Sequence, residues 1–386
     1  MIHYLNNVNK TAFITAELLF SILSPYFLWK YEMSIGLFQP FICFLTSLIF
    51  LDNKKVMSTS DSKLFIFLLL LSITYWLTTG MSFMGFLFNC CSLTIPFAKD
   101  TFNKDVFRHF VDIYCAVLGI SACVWIFVLI GVIQPIGYMD GLNNLKSTDY
   151  IIYPFVVTIN SFQAFRFHGV FDEPGLVGTF SGILLYIVGF HKRNWRSYVL
   201  VLSGCLALSL LFYVLLFICF AYNSTRRNKI VYPLIIVVAL GVFYVTTRDN
   251  EIMSDRLWNR LEWNAEEGTI AGNNRVVDSQ AKKYYEQHVG TLEYWLGDSD
   301  FNSHQQLFEG SSSYKVIVLR SGMIFFALYV SFFIIMAFVY NKKNKLPLCL
   351  YSLLIIVTLF QRPWMFGLVY FYLFTYYARY LDESTN

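Results

Sequence analysis

Apolar residues recur along this chain in runs close to the roughly 20 residues needed to cross a bilayer. The runs fall at about 11–28, 33–51, 63–79, 81–98, 108–133, 175–191, 230–246, 316–340, 346–361 and 363–379. That pattern predicts helices in lipid. One run departs from it: 195–222 is too long for an ordinary span and lies between His191-Lys192-Arg193-Asn194-Trp195-Arg196 and Arg226-Arg227-Asn228-Lys229. Basic clusters beside spans stay in the cytoplasm, so a single crossing would strand one of them outside. Two short helices, near 195–207 and 209–222 and turning near Ser209, bring the chain back, the short halves being shielded by neighbours or a thinned bilayer. Parity then places Lys54, Lys55, Lys63, Lys99 to Arg108, Asn341-Lys342-Lys343-Asn344-Lys345 and both termini inside. Two long segments, 134–174 and 247–315, face outward.

The expected fold is an all-α polytopic membrane protein with about 12 transmembrane or partly spanning helices. N-terminal spans occupy 1–133, a first long outer loop 134–174, central spans with the short-helix hairpin 175–246, a large outer loop domain 247–315, and C-terminal spans with a cytoplasmic tail 316–386. The first apolar stretch has no convincing cleavage site and is followed at once by further spans, so it reads as a retained helix. Within the large loop, Arg256-Leu257-Trp258 and Arg260-Leu261-Glu262-Trp263 have apolar residues at helical spacing, Gly268 to Asn274 reads as a turn, and Val276 to Val289 as a second helix. Loops longer than about 15 residues are uncommon unless they carry function.

Composition agrees: 56% hydrophobic and 14% charged residues lie outside the soluble range. Aromatic residues at 19% suit rings facing acyl chains and the water boundary. A net charge of +4 is too small to suggest nucleic acid. All eight cysteines fall inside apolar stretches, so no disulfide framework is implied for the outer loop. No CxxC, HExxH or Walker-type spacing occurs, and neither a metal nor a cofactor is expected.

Candidate chemistry concentrates in Phe165-Arg166-Phe167-His168-Gly169-Val170-Phe171-Asp172-Glu173-Pro174-Gly175, which runs from the first outer loop into a span. Pro174 suits the first turn of a helix, Asp172 can cap it, and the free amides there favour an anion. Arg166 adds a planar five-donor group suited to phosphate oxygens. The plainer alternative has Asp172 only capping and Arg166 pairing with Glu173. Trp258, Trp263 and Trp295 fit either sugar stacking or the loop's own small core. Glu17, inside the first span, is expensive if it faces lipid and is expected to meet a polar neighbour.

An Arg-x-x-Gly-x-Phe-x-Glu-Pro segment opening a mid-chain helix resembles the O-antigen polymerase and ligase superfamily, of the Wzy type. The resemblance continues by order and spacing over about 160–340. It takes in the short-helix pair at 195–222, a loop arginine in Gly272-Asn273-Asn274-Arg275, a Leu-Gly element in Trp295-Leu296-Gly297-Asp298, and Ser311-Ser312-Ser313-Tyr314-Lys315 leading to Arg320-Ser321-Gly322. The ligase branch's His and Leu before the closing span are only weakly represented, by His304-Gln305-Gln306-Leu307, which favours polymerase.

The resemblance implies a bundle similar to the GT-C class in the bacterial cytoplasmic membrane. The implied activity is metal-independent transfer of a growing glycan from undecaprenyl diphosphate to another carrier-linked repeat unit at the periplasmic face. Donor and acceptor are both undecaprenyl-diphosphate-linked oligosaccharides, membrane lipid surrounds the site, and a polysaccharide chain-length regulator is the expected protein partner. Arg166 and Arg275 would bind the diphosphate, with Arg320 and Lys315 at the membrane plane and Arg256, Arg260 and Tyr314 in support. Glu173 and His168 are candidates for the base or orienting acceptor, beside Asp172, with His304 in reserve. Each has a structural alternative: Arg275 as a surface ion-pair partner, and the histidines as hydrogen-bonded structural residues. A flippase or transporter would have a similar number of spans, but such proteins are built from repeated halves with midplane binding residues, and no repeat is visible here. O-antigen ligase shares the architecture and is the nearer rival, while a membrane anchor or receptor would tolerate Lys at 166 and 275.

Overall fold

A computed structural model describes residues 7–22, 42, 44–80, 83, 86–87, 93–139, 149–159, 166–189, 194–223, 238, 241–242, 244–249, 254, 258–259, 263–264, 269–270, 279–308, 314–341, 345–363 and 365–380. Among these the chain is mostly helical. Helices α1 (Asn7–Phe20), α2 (Thr59–Thr79) and α3 (Asp100–Leu129) come first, followed by α4 (Pro174–Val188), α5 (Trp195–Leu206) and α6 (Leu210–Asn223). The loop region carries α7 (Ser279–His288), α8 (Leu292–Leu296) and a 3-10 segment Phe301–Phe308. The chain closes with α9 (Tyr314–Ser321), α10 (Met323–Tyr340), α11 (Lys345–Gln361) and α12 (Leu368–Tyr380).

Among the described residues three helices, α2, α3 and α10, are long and apolar enough to cross a membrane, and α4, α6 and most of α11 are shorter apolar helices. The long helices leave apolar side chains uncovered along one face, among them Ile66, Leu70, Leu77, Ile113, Ile120, Phe127, Ile335 and Phe338. Such continuous exposed apolar surface is costly in water and ordinary against acyl chains.

Helix ends follow local chemistry. Ser58 and Asp61 form a capping box at the start of α2, and Gly80 closes it in the left-handed conformation. The long apolar run at 195–222 divides into α5 and α6, with Ala207 to Ser209 as the turn and Leu208 at φ 48. Helix α4 lies close against α6 because Gly178 and Gly182 share one face: an added Cβ would stand 2.4 Å from Ser209 Cβ and 2.7 Å from Leu215 Cδ1 respectively. Small residues at such spacing let helix backbones approach where water supplies no driving force.

The contacts sort helix ends into two layers. At the lysine-rich end, Lys10 pairs with Asp52, the Lys99 amide donates to Asn53 O, Lys55 pairs with Asp61 at 2.9 Å, and Arg379 pairs with Asp100 at 2.5 Å. The hydroxyls of Tyr340 and Tyr380 donate to Asp61 and Asp100. The starts of α1, α2 and α3 and the finishes of α10 and α12 therefore lie together, and so do the two ends of the described chain. At the opposite, loop end, Thr78 at the close of α2 hydrogen-bonds Ser321 at 2.9 Å.

Three features depart from the sequence expectation. The segment 134–159, expected as loop in an all-α protein, contains a three-stranded antiparallel sheet, β1 (Gly137–Met139), β2 (Tyr150–Tyr153) and β3 (Val156–Ile159), with β2 central. Its β-branched and aromatic residues favour pleated pairing, and Val157 N donates to Gly169 O, tying it to the 166–173 loop. In the large loop, Trp263 belongs to a two-residue strand β4 (Trp263–Asn264) paired antiparallel with β5 (Thr269–Ile270), not to a helix. The expected span 316–340 breaks at Gly322 (φ 88) into α9 and α10.

That break has a steric cause. A Cβ on Gly322 would lie 2.4 Å from Trp295 O and 2.6 Å from Leu296 C, and one on Gly297 would lie 2.9 Å from Arg320 O. Asp298 N donates to Leu319 O at 2.7 Å. The Trp-Leu-Gly-Asp and Arg-Ser-Gly elements are thus one backbone crossing that docks the loop region on α9. Gly290 (φ 86) has open space where its Cβ would be. Gly322→Ala is therefore expected to cost about 3 kcal/mol or more, and Gly290→Ala only about 1 kcal/mol from the backbone angle. Thermal unfolding of purified protein in detergent checks this, and equal losses would show that the crossing does not require glycine.

Candidate functional site

Helix α4 rises about 22 Å and α3 about 45 Å at 1.5 Å per residue. The short helix begins within the bundle, and the loop end is built around that beginning. Pro174 occupies its first position, and the N-cap is Glu173, in extended conformation with its side chain making no capping bond. This corrects the expectation that Asp172 caps; Asp172 is buried one residue further back.

Glu173 reaches elsewhere. Its carboxylate lies 2.6 Å from Nη1 of Arg362, in the turn between α11 and α12. The Arg362 side chain is 10% exposed and that of Glu173 35%. Burial opposes the charge on Arg362, but Glu173, Tyr370 and Asp172 together outweigh it and raise the guanidinium's pKa. Room for this approach comes from Gly175, where a Cβ would stand 2.2 Å from Arg362 Nη2. The Arg362 turn is itself held inside the bundle: Phe366 N donates to the Tyr329 hydroxyl at 2.9 Å, six residues into α10.

Sequence reasoning missed Arg362. The signal was present, since an ionisable residue between two apolar runs is a functional candidate by default, but its partner lies far away in the chain.

Arg166 stands at the other side of the same loop. Its Nε donates to Ala207 O and its Nη2 to Leu208 O, both at 3.1 Å, so part of its donor set closes the α5–α6 turn. Phe167 N adds a bond to Leu206 O. Between the two arginines His168 is fully buried. Burial, and secondly the charge of Arg166, push its pKa down to about 4, against smaller opposing effects of the Asp172 main chain and Glu173. Neither ring nitrogen meets hydrogen-bond geometry. A neutral imidazole cut off from solvent is poorly placed to take a proton from a solvent-borne hydroxyl, whereas Glu173 is open to it.

The other predicted residues lie in the loop region or on α9. Tyr314 packs its ring 4.5 Å from that of Phe360, two residues before Arg362, so the start of α9 adjoins the Arg362 turn. Lys315 lies over the Tyr285 ring at 4.8 Å. Arg320 sits 5.3 Å over Phe301, on the side of α9 near Tyr75. His304 stacks against Tyr284, which stacks in turn on His288, and the Tyr284 hydroxyl donates to Asp298. Trp258 donates to Thr247 Oγ1 and meets the Tyr244 ring edge-on, and Trp295 is half exposed. Arg256, Arg260 and Arg275 lie outside the described residues. The structure thus brings Arg166, His168, Asp172, Glu173 and Arg362 together, with Tyr314 adjoining through Phe360, while Lys315 meets the loop residues Tyr285 and Glu286.

The burial of His168 has a pH consequence. Its folded pKa is depressed, so the stability linked to it is complete above the unfolded value near 6.5 and is lost as pH falls toward 4. The loss reaches at most about 3 kcal/mol. His168→Phe keeps a ring and removes the titration, so its melting temperature should fall less than wild type's between pH 6.5 and 4. Parallel curves would contradict the buried neutral state.

No family model, curated protein or solved structure matches the chain.

Proposed function

We propose that this protein is a Wzy-type polymerase of lipid-linked repeat units. In this reading it is a metal-independent glycosyltransferase with about a dozen spanning or partly spanning helices in a GT-C-like bundle. Its loop end faces the periplasm. The observation that carries the reading is the charged cluster at the start of α4, where the partly exposed Glu173 carboxylate pairs with the buried Arg362 and Arg166 lies on the same loop. The clustering of Lys10, Lys54, Lys55, Lys63, Lys99 and Lys104 toward the opposite end supports the orientation, because basic residues flanking spans are retained in the cytoplasm.

The chemistry asks little more of the protein. The acceptor sugar hydroxyl of one carrier-linked repeat unit attacks the anomeric carbon of the glycan on another. The bond from that carbon to the diphosphate oxygen breaks, its electron pair leaving with undecaprenyl diphosphate. Glu173 takes the hydroxyl proton as the new glycosidic bond forms. Arg166 and Lys315 oppose the charge that gathers on the departing diphosphate. Arg275 and, in support, Arg256 and Arg260 face it from the large loop, as the family resemblance implies. The Trp295 face offers a surface for sugar rings. His168 holds the loop in shape as a neutral ring.

Deleting the gene in its host and resolving surface polysaccharide on a gel tests the reading. Surface glycan bearing single repeat units is the result expected of a lost polymerase. Long polymer retained on the carrier would identify a ligase instead, and absence of any external product a flippase. Complementation with Glu173→Gln should leave single units, with at least a hundredfold less polymer if a general base is lost. Full-length ladders from that variant would remove the base from Glu173.

A further inference from the structure

Arg362 is nine-tenths buried, and the ion partner recorded for it is Glu173, whose own side chain is more than a third exposed. The pair is therefore asymmetric: one charge depends on the other for its place in the bundle, while the second could be solvated without it. A planar guanidinium recognises a carboxylate and a phosphate with the same fork of donors. The absence of a Cβ at Gly175 lets that fork lie against the first turn of α4, whose N-cap side chain leaves the helix end uncapped. An anion arriving there would meet the guanidinium and the positive end of the helix together.

We propose that Glu173 is a stand-in for substrate: the diphosphate of the lipid carrier displaces the Glu173 carboxylate from Arg362, and the displaced carboxylate becomes the group that accepts the acceptor's proton. The inference rests on the proposed polymerase reading and adds an ordering to it. In the empty site Glu173 is held by Arg362 and is a poor base. With diphosphate on Arg362, the carboxylate is free to swing to the sugar hydroxyl. Proton acceptance is thereby confined to the loaded site, which protects the carrier-linked glycan from attack by water while no acceptor is in place. Charge supports the exchange: in the empty recess the guanidinium groups of Arg166 and Arg362 balance the carboxylates of Asp172 and Glu173. To bind the ligand, Arg362 must be released from its partner Glu173.

A purely structural ion pair and an exchanging one differ in the sign of a measurable effect. Binding of undecaprenyl diphosphate in nanodiscs, and separately of inorganic pyrophosphate, is measured for wild type, Glu173→Gln and Arg362→Gln. Exchange predicts that Glu173→Gln binds about tenfold tighter, since the competing carboxylate is gone, yet makes no polymer, while Arg362→Gln binds about tenfold or more weaker. A structural pair predicts that both substitutions weaken binding, and that result would overturn the proposal.

Carbodiimide labelling of Glu173 in the wild-type protein, read by peptide mass spectrometry, needs no variant to fold. Labelling should rise when diphosphate is bound, and an unchanged or lower level with ligand bound would overturn the exchange. Wild-type protein that binds neither probe defeats the polymerase reading and the exchange with it. Exchange seen with pyrophosphate and not with the lipid leaves the exchange standing and the polymerase reading refuted.

Discussion

A guanidinium cannot be buried alone. Removing an ion of that size from water costs several kcal/mol even after relaxation, and Arg362 tolerates its place at the junction of α11 and α12 because Glu173 meets it at 2.6 Å. Much of the loop end answers to this pair. Helix α4 starts where it does so that its N-cap can reach Arg362. Gly175 lacks the carbon that would push the guanidinium away, and the Tyr329 hydroxyl holds the turn at Phe366 inside the bundle. Deleting the Glu173 charge should leave Arg362 uncompensated, at a cost of about 3 kcal/mol. The low end of the usual range applies because Glu173 is partly open to water.

The two ends of the bundle use charge differently. At the lysine-rich end the ion pairs join helix termini: Lys55 with Asp61, Arg379 with Asp100, each reinforced by a tyrosine hydroxyl. Arg379 also donates to the carbonyls of Pro96 and Ala98, so its fork is spent on backbone. These are fastenings between elements, built from residues beside main-chain groups. At the loop end, Arg166 does similar work for the α5–α6 turn. Arg362 differs: among the described residues its guanidinium meets the Glu173 side chain and no backbone carbonyl. That distinction, more than the number of charges, singles out the recess as a place where a ligand can take part.

Much of the helical layout was legible because lipid and packing impose coarse rules. Apolar runs gave the helices, and the conflict between two basic clusters was enough to divide 195–222 near Ser209, where α5 and α6 meet. The Leu-Gly and Ser-Gly elements were recognised as motifs, but their physical meaning, two backbones crossing at Gly297 and Gly322, needed coordinates. The sheet was missed although Tyr150-Ile151-Ile152-Tyr153 and Val156-Val157-Thr158-Ile159 carry strand-forming residues around a Pro-Phe turn. Its strands are only three or four residues long, and a membrane context drew attention to helices. At the site, the 166–175 segment was found from its local capping and charge signals. Its partner Arg362 was not, because nothing local in a sequence reports which distant turn folds back onto a helix start. The cap itself fell one residue from its expected position, as single-residue choices at helix ends often do.

The proposed function requires the Glu173–Arg362 pair to lie on the external face of the membrane, and sidedness tests this most directly. In a background with the native cysteines replaced, single cysteines are introduced at Leu292, 68% exposed at the loop end, and at Val56, 96% exposed at the lysine-rich end. A membrane-impermeant maleimide added to cells with a permeable outer barrier should label position 292 at once and position 56 only after the cytoplasmic membrane is opened. The reverse order would put the recess in the cytoplasm, where a glycan already exported on its carrier could not reach it.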